Sequence, residues 1–215
     1  MINKRDINLE LSIRFTTPFI VGSGFGKGGL VDSTTVKGNN NIVYLPGSSI
    51  KGRIKSEFKK NMEMLYPGSI CNSLISRRTE ICKQQDIKNA CAICRIFGSE
   101  FCEGSLIFED AVIEERIRDI LHKIEGNKVI PLFQSSIRTG IRLNRFLKTA
   151  EEGALFTLEG VNPAIVLTSR IYGSCYISDD ECSYLKEVIK TITHLGGNKA
   201  RGMGRCSVDV REVTP

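Results

Sequence analysis

Long apolar runs are missing from this 215-residue sequence. No stretch reaches the roughly 18 to 20 apolar residues a membrane-spanning helix needs, so a helical membrane protein is not expected. The opening Met1-Ile2-Asn3-Lys4-Arg5-Asp6 has no apolar core and runs directly into a strand pattern. A secretory signal is therefore not expected, and the expected location is the cytoplasm, with no membrane partner. Tandem repeats and low-complexity tracts are also absent. Histidine is scarce: His122 lies in a charged, helical-looking segment and His194 at the end of a helix, and both suit surface or capping roles better than general-base catalysis.

With 41% hydrophobic and 25% charged residues, the chain has the composition of a globular protein with a real core. Its length fits one domain carrying an insertion. Lys and Arg number 30 against 24 Asp and Glu, a net charge of +6 that favours an anionic partner without identifying one. Eight cysteines stand at 71, 82, 91, 94, 102, 175, 182 and 206. Five of them crowd into one short segment, and such clustering in a chain without export features favours a metal site over a disulfide framework.

Ile7, Leu9, Leu11, Ile13 and Phe15 alternate with polar residues, predicting a half-buried first strand. A glycine-rich loop covers Gly22 to Gly29, and Leu30 to Tyr44 reads as irregular or hairpin-like around a turn at Lys37 to Asn41. A helix is expected after Pro46-Gly47, with Ser48 or Ser49 as N-cap and Ile50, Ile54, Phe58, Met62 and Leu65 as its buried face. Residues 66–104 show neither period and read as an insertion. Strands are expected near Leu106–Phe108 and Val129–Phe133, then an irregular basic stretch from Ser135 to Glu152, then strands near 154–160 and 164–172. Ser178-Asp179-Asp180-Glu181 forms a capping box ahead of a helix buried through Leu185, Val188, Ile189, Ile192 and Leu195. A second glycine loop leads to a last strand at Cys206-Val208-Val210. The order predicts one α+β, ferredoxin-like (RRM-like) domain over 1–215, with helices on one face of the sheet.

Two segments carry phosphate-binding chemistry. In Gly196-Gly197-Asn198-Lys199-Ala200-Arg201-Gly202-Met203-Gly204-Arg205, four glycines let backbone amides and three cations approach an anion together. No Gly-Lys-Ser/Thr runs from this loop into a helix, so it is not a nucleotide P-loop, and alone it could be a solvated turn. In Leu45-Pro46-Gly47-Ser48-Ser49-Ile50-Lys51-Gly52-Arg53-Ile54-Lys55, hydroxyls, amides and cations gather at a helix N-terminus, where the dipole favours negative charge.

Together these segments resemble the signature pair of the RAMP superfamily, the repeat-associated proteins of CRISPR effector complexes. Arg138-Thr139-Gly140-Ile141-Arg142-Leu143-Asn144-Arg145, followed by Thr149 to Phe156, is similar to the backbone subunits of type III complexes; so are Gly29-Leu30-Val31-Asp32 and Cys94-Arg95-Ile96-Phe97-Gly98. The resemblance covers essentially the whole chain. It implies an RRM-like palm, an inserted lid at 66–104 and a thumb hairpin at 136–153. It further implies a filament of copies or related RAMP subunits along guide RNA, associated with other CRISPR effector subunits. Carried over by motif, Ser48, Ser49, Lys51, Arg53, Lys55, Arg138, Arg142, Arg145, Lys199, Arg201 and Arg205 are the candidate RNA contacts. Contacts of this type position phosphates and leave sequence to base pairing.

By the same resemblance Asp32 is the residue that cuts target RNA, through 2′-hydroxyl attack on the adjacent phosphate, with Mg²⁺ or another divalent cation implied. The alternatives are a catalytically silent guide-binding scaffold and a guide-precursor endoribonuclease. Cys91-Ala92-Ile93-Cys94 is a C-x₂-C knuckle which, with Cys71 and Cys82, could hold a tetrahedral structural Zn²⁺; Cys102 is an alternative ligand. Cys175, Cys182 and Cys206 read as core residues.

Overall fold

The computed structural model describes residues 2–24, 31–38, 42–71, 82, 87–114, 135–163 and 165–213. The strand expected at Val129–Phe133, His122 and the tip of the first glycine loop lie outside these residues.

Strand β1 (Asn3–Phe15) has the alternation its sequence predicts: Ile7, Leu9, Leu11, Ile13 and Phe15 are buried, whereas Asn8, Glu10, Ser12 and Arg14 are not. It occupies an interior sheet position, pairing antiparallel with both β6 (Val166–Ile177) and β7 (Cys206–Glu212). Leu11 faces Ser169 on one side and Val210 on the other. Two short strands, β2 (Ile107–Phe108) and β3 (Val112–Ile113), pair antiparallel with successive parts of β6, giving the order β2-β6-β1-β7.

Helix α1 (Gly47–Leu65) follows β1, and helix α3 (Asp179–Lys190) joins β6 to β7. The chain order is thus strand, helix, broken strand, strand, helix, strand around an antiparallel sheet, a mixed α/β arrangement of the class expected. Ile50, Ile54, Phe58 and Met62 of α1 share one core with Leu185, Val188 and Ile189 of α3 and the inward residues of β1. The Phe58 ring meets Tyr184 edge-on at 5.2 Å between centroids and Phe97 at 5.6 Å. Leu65, expected in that face, is 60% exposed, because the last turn of α1 has passed the packed layer.

Both helix starts are informative. Ser178 and Glu181 form the predicted reciprocal capping box of α3. At α1 the expected serine cap is absent: Pro46 holds the N-cap position, and the Gly47 amide donates to Asp110 Oδ1 at 2.7 Å. The orphan amide finds a carboxylate from the β2–β3 connection instead of a neighbour in sequence.

Among the described residues of 66–104, a 3₁₀ turn (Ile87–Asn89) precedes α2 (Ala92–Phe97), a helix too short to impose a readable period. Its Ile93, Ile96 and Phe97 join the main core.

The stretch expected to be irregular is regular. Strands β4 (Ser135–Asn144) and β5 (Thr149–Val161) form an antiparallel hairpin with a register shift between Ile141 and Leu143. Both of its faces are largely exposed over 137–155, so nothing there selects alternating hydrophobic residues. Segment 31–36 runs along the outer edge of β5, with Ser33 bridged to Leu158 in parallel. No helix among the described residues is long and apolar enough to cross a membrane.

Candidate nucleic-acid interface and cysteine cluster

The first turns of α1 place Ser49, Gly52, Arg53 and Ser56 on one stripe, as spacings of three and four residues on a helix require. That stripe faces Gly196, Gly197 and Lys199 of the C-terminal glycine loop across a cleft of about 350 Å³ floored by Ile20, Val21, Gly22 and Leu195. The two basic motifs, some 150 residues apart in sequence, form the walls of one groove.

Backbone bonds to the chain after β1 shape the loop. The Gly197 amide donates to the Ile20 carbonyl and the Gly204 amide to that of Pro18, each at 2.8 Å, and Leu195 closes the loop on the Gly204 carbonyl at the same distance. Gly204 has φ +73°, and a Cβ there would collide with the Leu195 carbonyl. Only glycine fits. Lys199 to Arg201 form a 3₁₀ turn between left-handed Asn198 and Gly202.

The cleft is short of negative charge. Arg53 pairs with Glu57 at 3.0 Å, but its Nε is buried and unpartnered among the described residues. Burial and then the Arg53 charge hold the Lys199 ammonium below the usual lysine range, against partial compensation from Glu57. Two cations that disfavour each other across a groove with exposed hydroxyls are arranged for an anion.

The remaining predicted contacts diverge. Ser48 is exposed beside the cleft. Lys51 stands 5.8 Å from the Phe108 ring centroid, and Lys55 donates to the Gly98 carbonyl at 2.8 Å, on a different stripe of α1 from the cleft. Arg201 places its guanidinium 5.1 Å from the Phe156 ring centroid. Arg205 is exposed, its amide bonded to Thr17 Oγ1 at 2.9 Å. Arg138, Arg142 and Arg145 are exposed on the hairpin; Arg142 lies 3.6 Å from Glu151. Sequence reasoning missed Ser56 and the Ile20–Gly22 floor. Ser56 was findable as the next residue on the Ser49–Arg53 stripe, whereas the floor carries no local signal.

Asp32 is exposed, and β5 holds it at both ends of its functional groups. Its amide donates to the Thr157 carbonyl at 3.0 Å, and its Oδ2 accepts from the Thr157 amide at 2.6 Å. Further along the same edge Glu159 gathers the Lys37 ammonium at 2.6 Å, the Ser135 hydroxyl at 2.7 Å and the Thr35 amide at 3.2 Å. Burial alone would raise the Glu159 pKa, but these donors outweigh it and hold the carboxyl below the usual glutamate value. Sequence gave no hint of this anchor.

Cys71, Cys82, Cys91 and Cys94 bring their sulfurs within 4.8 Å of one another, the four residues the sequence nominated. Cys71 Sγ lies 3.4 Å from Cys94 Sγ and 3.6 Å from Cys91 Sγ. A tetrahedral site with metal–sulfur bonds of about 2.3 Å has sulfur–sulfur edges of about 3.8 Å, so the donor set fits a metal ion. Hydrogen bonding between Cys91 and Cys94 lowers the Cys91 pKa and raises that of Cys94. Cys102 is buried against the cluster but outside the ligand group. Cys175, Cys182 and Cys206 belong to the main core, as expected.

The RAMP superfamily profile matches residues 12–207. The chain belongs to the RAMP superfamily. No curated protein matches it. Among solved structures, this RAMP protein is similar to a chain from the cryo-EM structure of the Type III-B Cmr-beta bound to cognate target RNA, with TM-score 0.61 and 14% identity, covering 94% of this chain and 96% of that one. At that identity the likeness concerns the fold. The cleft lies between segments inside the family match, and so do Asp32 and all four clustered cysteines.

Proposed function

We propose that this RAMP protein is a backbone subunit of a type III CRISPR ribonucleoprotein in the cytoplasm, binding guide RNA and cutting the target RNA paired with it. The carrying observation is the groove between Ser49, Arg53 and Lys199, a cation-lined slot with exposed hydroxyls and no carboxylate among its lining residues. Guide phosphates occupy that groove, and Arg205 and the hairpin arginines extend the positive path. Copies or related subunits stack along the guide, with 1–215 as one domain, 66–104 as its lid and 136–153 as its thumb. Zn²⁺ bound by Cys71, Cys82, Cys91 and Cys94 fixes the lid.

In the cutting step the target 2′-hydroxyl attacks the adjacent phosphorus. The new 2′-O–P bond forms as the P–O5′ bond breaks, leaving a cyclic phosphate and a 5′ oxygen that takes a proton from water to become a hydroxyl. Asp32 takes the 2′ proton through Oδ1, since Oδ2 is committed to the Thr157 amide. A divalent cation would supply charge neutralisation at the phosphate; if Asp32 Oδ1 held it, that role would replace proton abstraction by the same oxygen. The Thr157 bond also gives the silent scaffold a specific basis, because a carboxylate that caps a backbone amide needs no catalytic role.

The test is the assembled guide complex incubated with end-labelled complementary RNA and Mg²⁺. Asp32→Asn keeps an acceptor for Thr157 while removing the base. Regularly spaced cuts lost in the variant support the reading, cuts that persist place the chemistry elsewhere, and an intact target-bound wild type that never cuts is a scaffold.

A further inference from the structure

We propose that Arg201 is a positioning residue that couples the guide-gripping loop to Asp32, and that it is not a phosphate contact. The inference rests on the catalytic reading of Asp32 for its consequence, but on separate geometry for its existence.

Three contacts meet on two consecutive residues of β5. Phe156 lies opposite Gly140 of β4, with its ring directly over that glycine, where a Cβ would strike the ring. Arg201 of the glycine loop sits 5.1 Å from the centroid of the same ring, a cation–π distance. The next residue, Thr157, holds Asp32 through its carbonyl and its amide. A few residues further, buried Met203 of the same loop approaches Gly160, its Cε 3.2 Å from where a Cβ would stand.

The glycine loop therefore touches the hairpin base at Phe156 and Gly160, on either side of the peptide that orients Asp32. A shift of the loop is passed to Thr157 through one ring, and from there to the carboxylate by the amide at 2.6 Å and the hydroxyl at 3.3 Å. This gives the guide-holding groove a short mechanical link to the cutting residue. A displacement of about 1 Å at a reacting group can cost on the order of a hundredfold in rate, so a link of this kind has consequences for cutting that binding alone would not show.

The experiment compares wild type, Arg201→Gln, Phe156→Leu and the double variant, each assembled with guide. It reads guide affinity against salt, single-turnover cutting of complementary RNA, and amide exchange at Asp32 and Thr157. The expected result is cutting reduced about tenfold in each single variant and no further in the double, with faster exchange at both amides. Guide affinity keeps the same salt slope. A weaker guide affinity with a shallower slope, and unchanged cutting per bound complex, makes Arg201 a phosphate contact and overturns the proposal. If the wild type does not cut, the catalytic reading of Asp32 fails by itself. The exchange data then decide the coupling: unchanged exchange in Arg201→Gln and Phe156→Leu overturns it, and faster exchange sustains it.

Discussion

The carboxylate of Asp110 receives the Gly47 amide at 2.7 Å, so the helix that lines the cleft is capped by a residue 63 positions away. Because Asp110 does this work, the hydroxyls of Ser48 and Ser49 are not used as caps and remain at the surface. Asp110→Ala should cost about 1 kcal/mol of stability, the usual loss for a helix cap, and Asp110→Asn distinctly less. Chemical denaturation of the two variants checks this, and an Ala variant as stable as wild type would remove the cap from the account.

Gly204 makes a second, sharper demand. Its positive φ and the Leu195 carbonyl against its missing side chain mean that Gly204→Ala must distort the loop that carries Lys199. A loss of about 1–3 kcal/mol is expected, together with weakened guide binding. Gly202 also has positive φ but open space around it. Gly202→Ala should therefore cost less, about 1 kcal/mol. Measuring both variants by denaturation and guide titration separates strain from collision.

Much of the core was legible because β1 and both long helices bury one face each, and a single buried face writes a period into the sequence. The capping box at Ser178 and the four cysteines were legible because their partners are close in the chain. What failed was non-local. The Asp110 cap joins two distant elements, and Leu65 keeps the helical period although the layer it should pack on has ended. Over 137–155 the hairpin packs little of either face, so this part of its strands carries no alternation to read. Lys51 and Lys55 were grouped with Arg53 by proximity in sequence, yet they fall on another stripe of α1, where Lys55 binds the Gly98 carbonyl. The helical period separates these stripes, but only the folded loop shows which one faces the groove.

The cysteine cluster predicts a metal requirement with a defined ligand set. Purified protein should carry one Zn²⁺ per chain by elemental analysis, and chelation should lower its thermal midpoint. Cys91→Ser and Cys71→Ser should lose the metal. Cys102→Ser should retain it, since Cys102 packs beside the four sulfurs without joining them. Retention in Cys91→Ser with loss in Cys102→Ser would reverse the assignment.

Glu159 sets a pH dependence at the base of the hairpin. Lys37, Ser135 and Thr35 all donate to its carboxylate and hold its folded pKa below the ordinary value of 4.5. Above 4.5 the group is ionised in folded and unfolded chain alike, and its stabilising contribution is complete. As pH falls below 4.5 the unfolded chain takes up the proton first, so the contribution shrinks and is gone once the pH has passed through the lower folded value. Glu159→Gln should therefore be less stable than wild type at pH 7, with the gap closing in acid. Because Glu159 also anchors the edge segment that carries Asp32, amide exchange at Ser33 to Thr35 should accelerate in the variant at pH 7, while β1 stays protected. A stability gap that is constant from pH 7 down to pH 3 would show that the carboxylate charge contributes nothing, and that packing of the side chain alone holds the segment to β5.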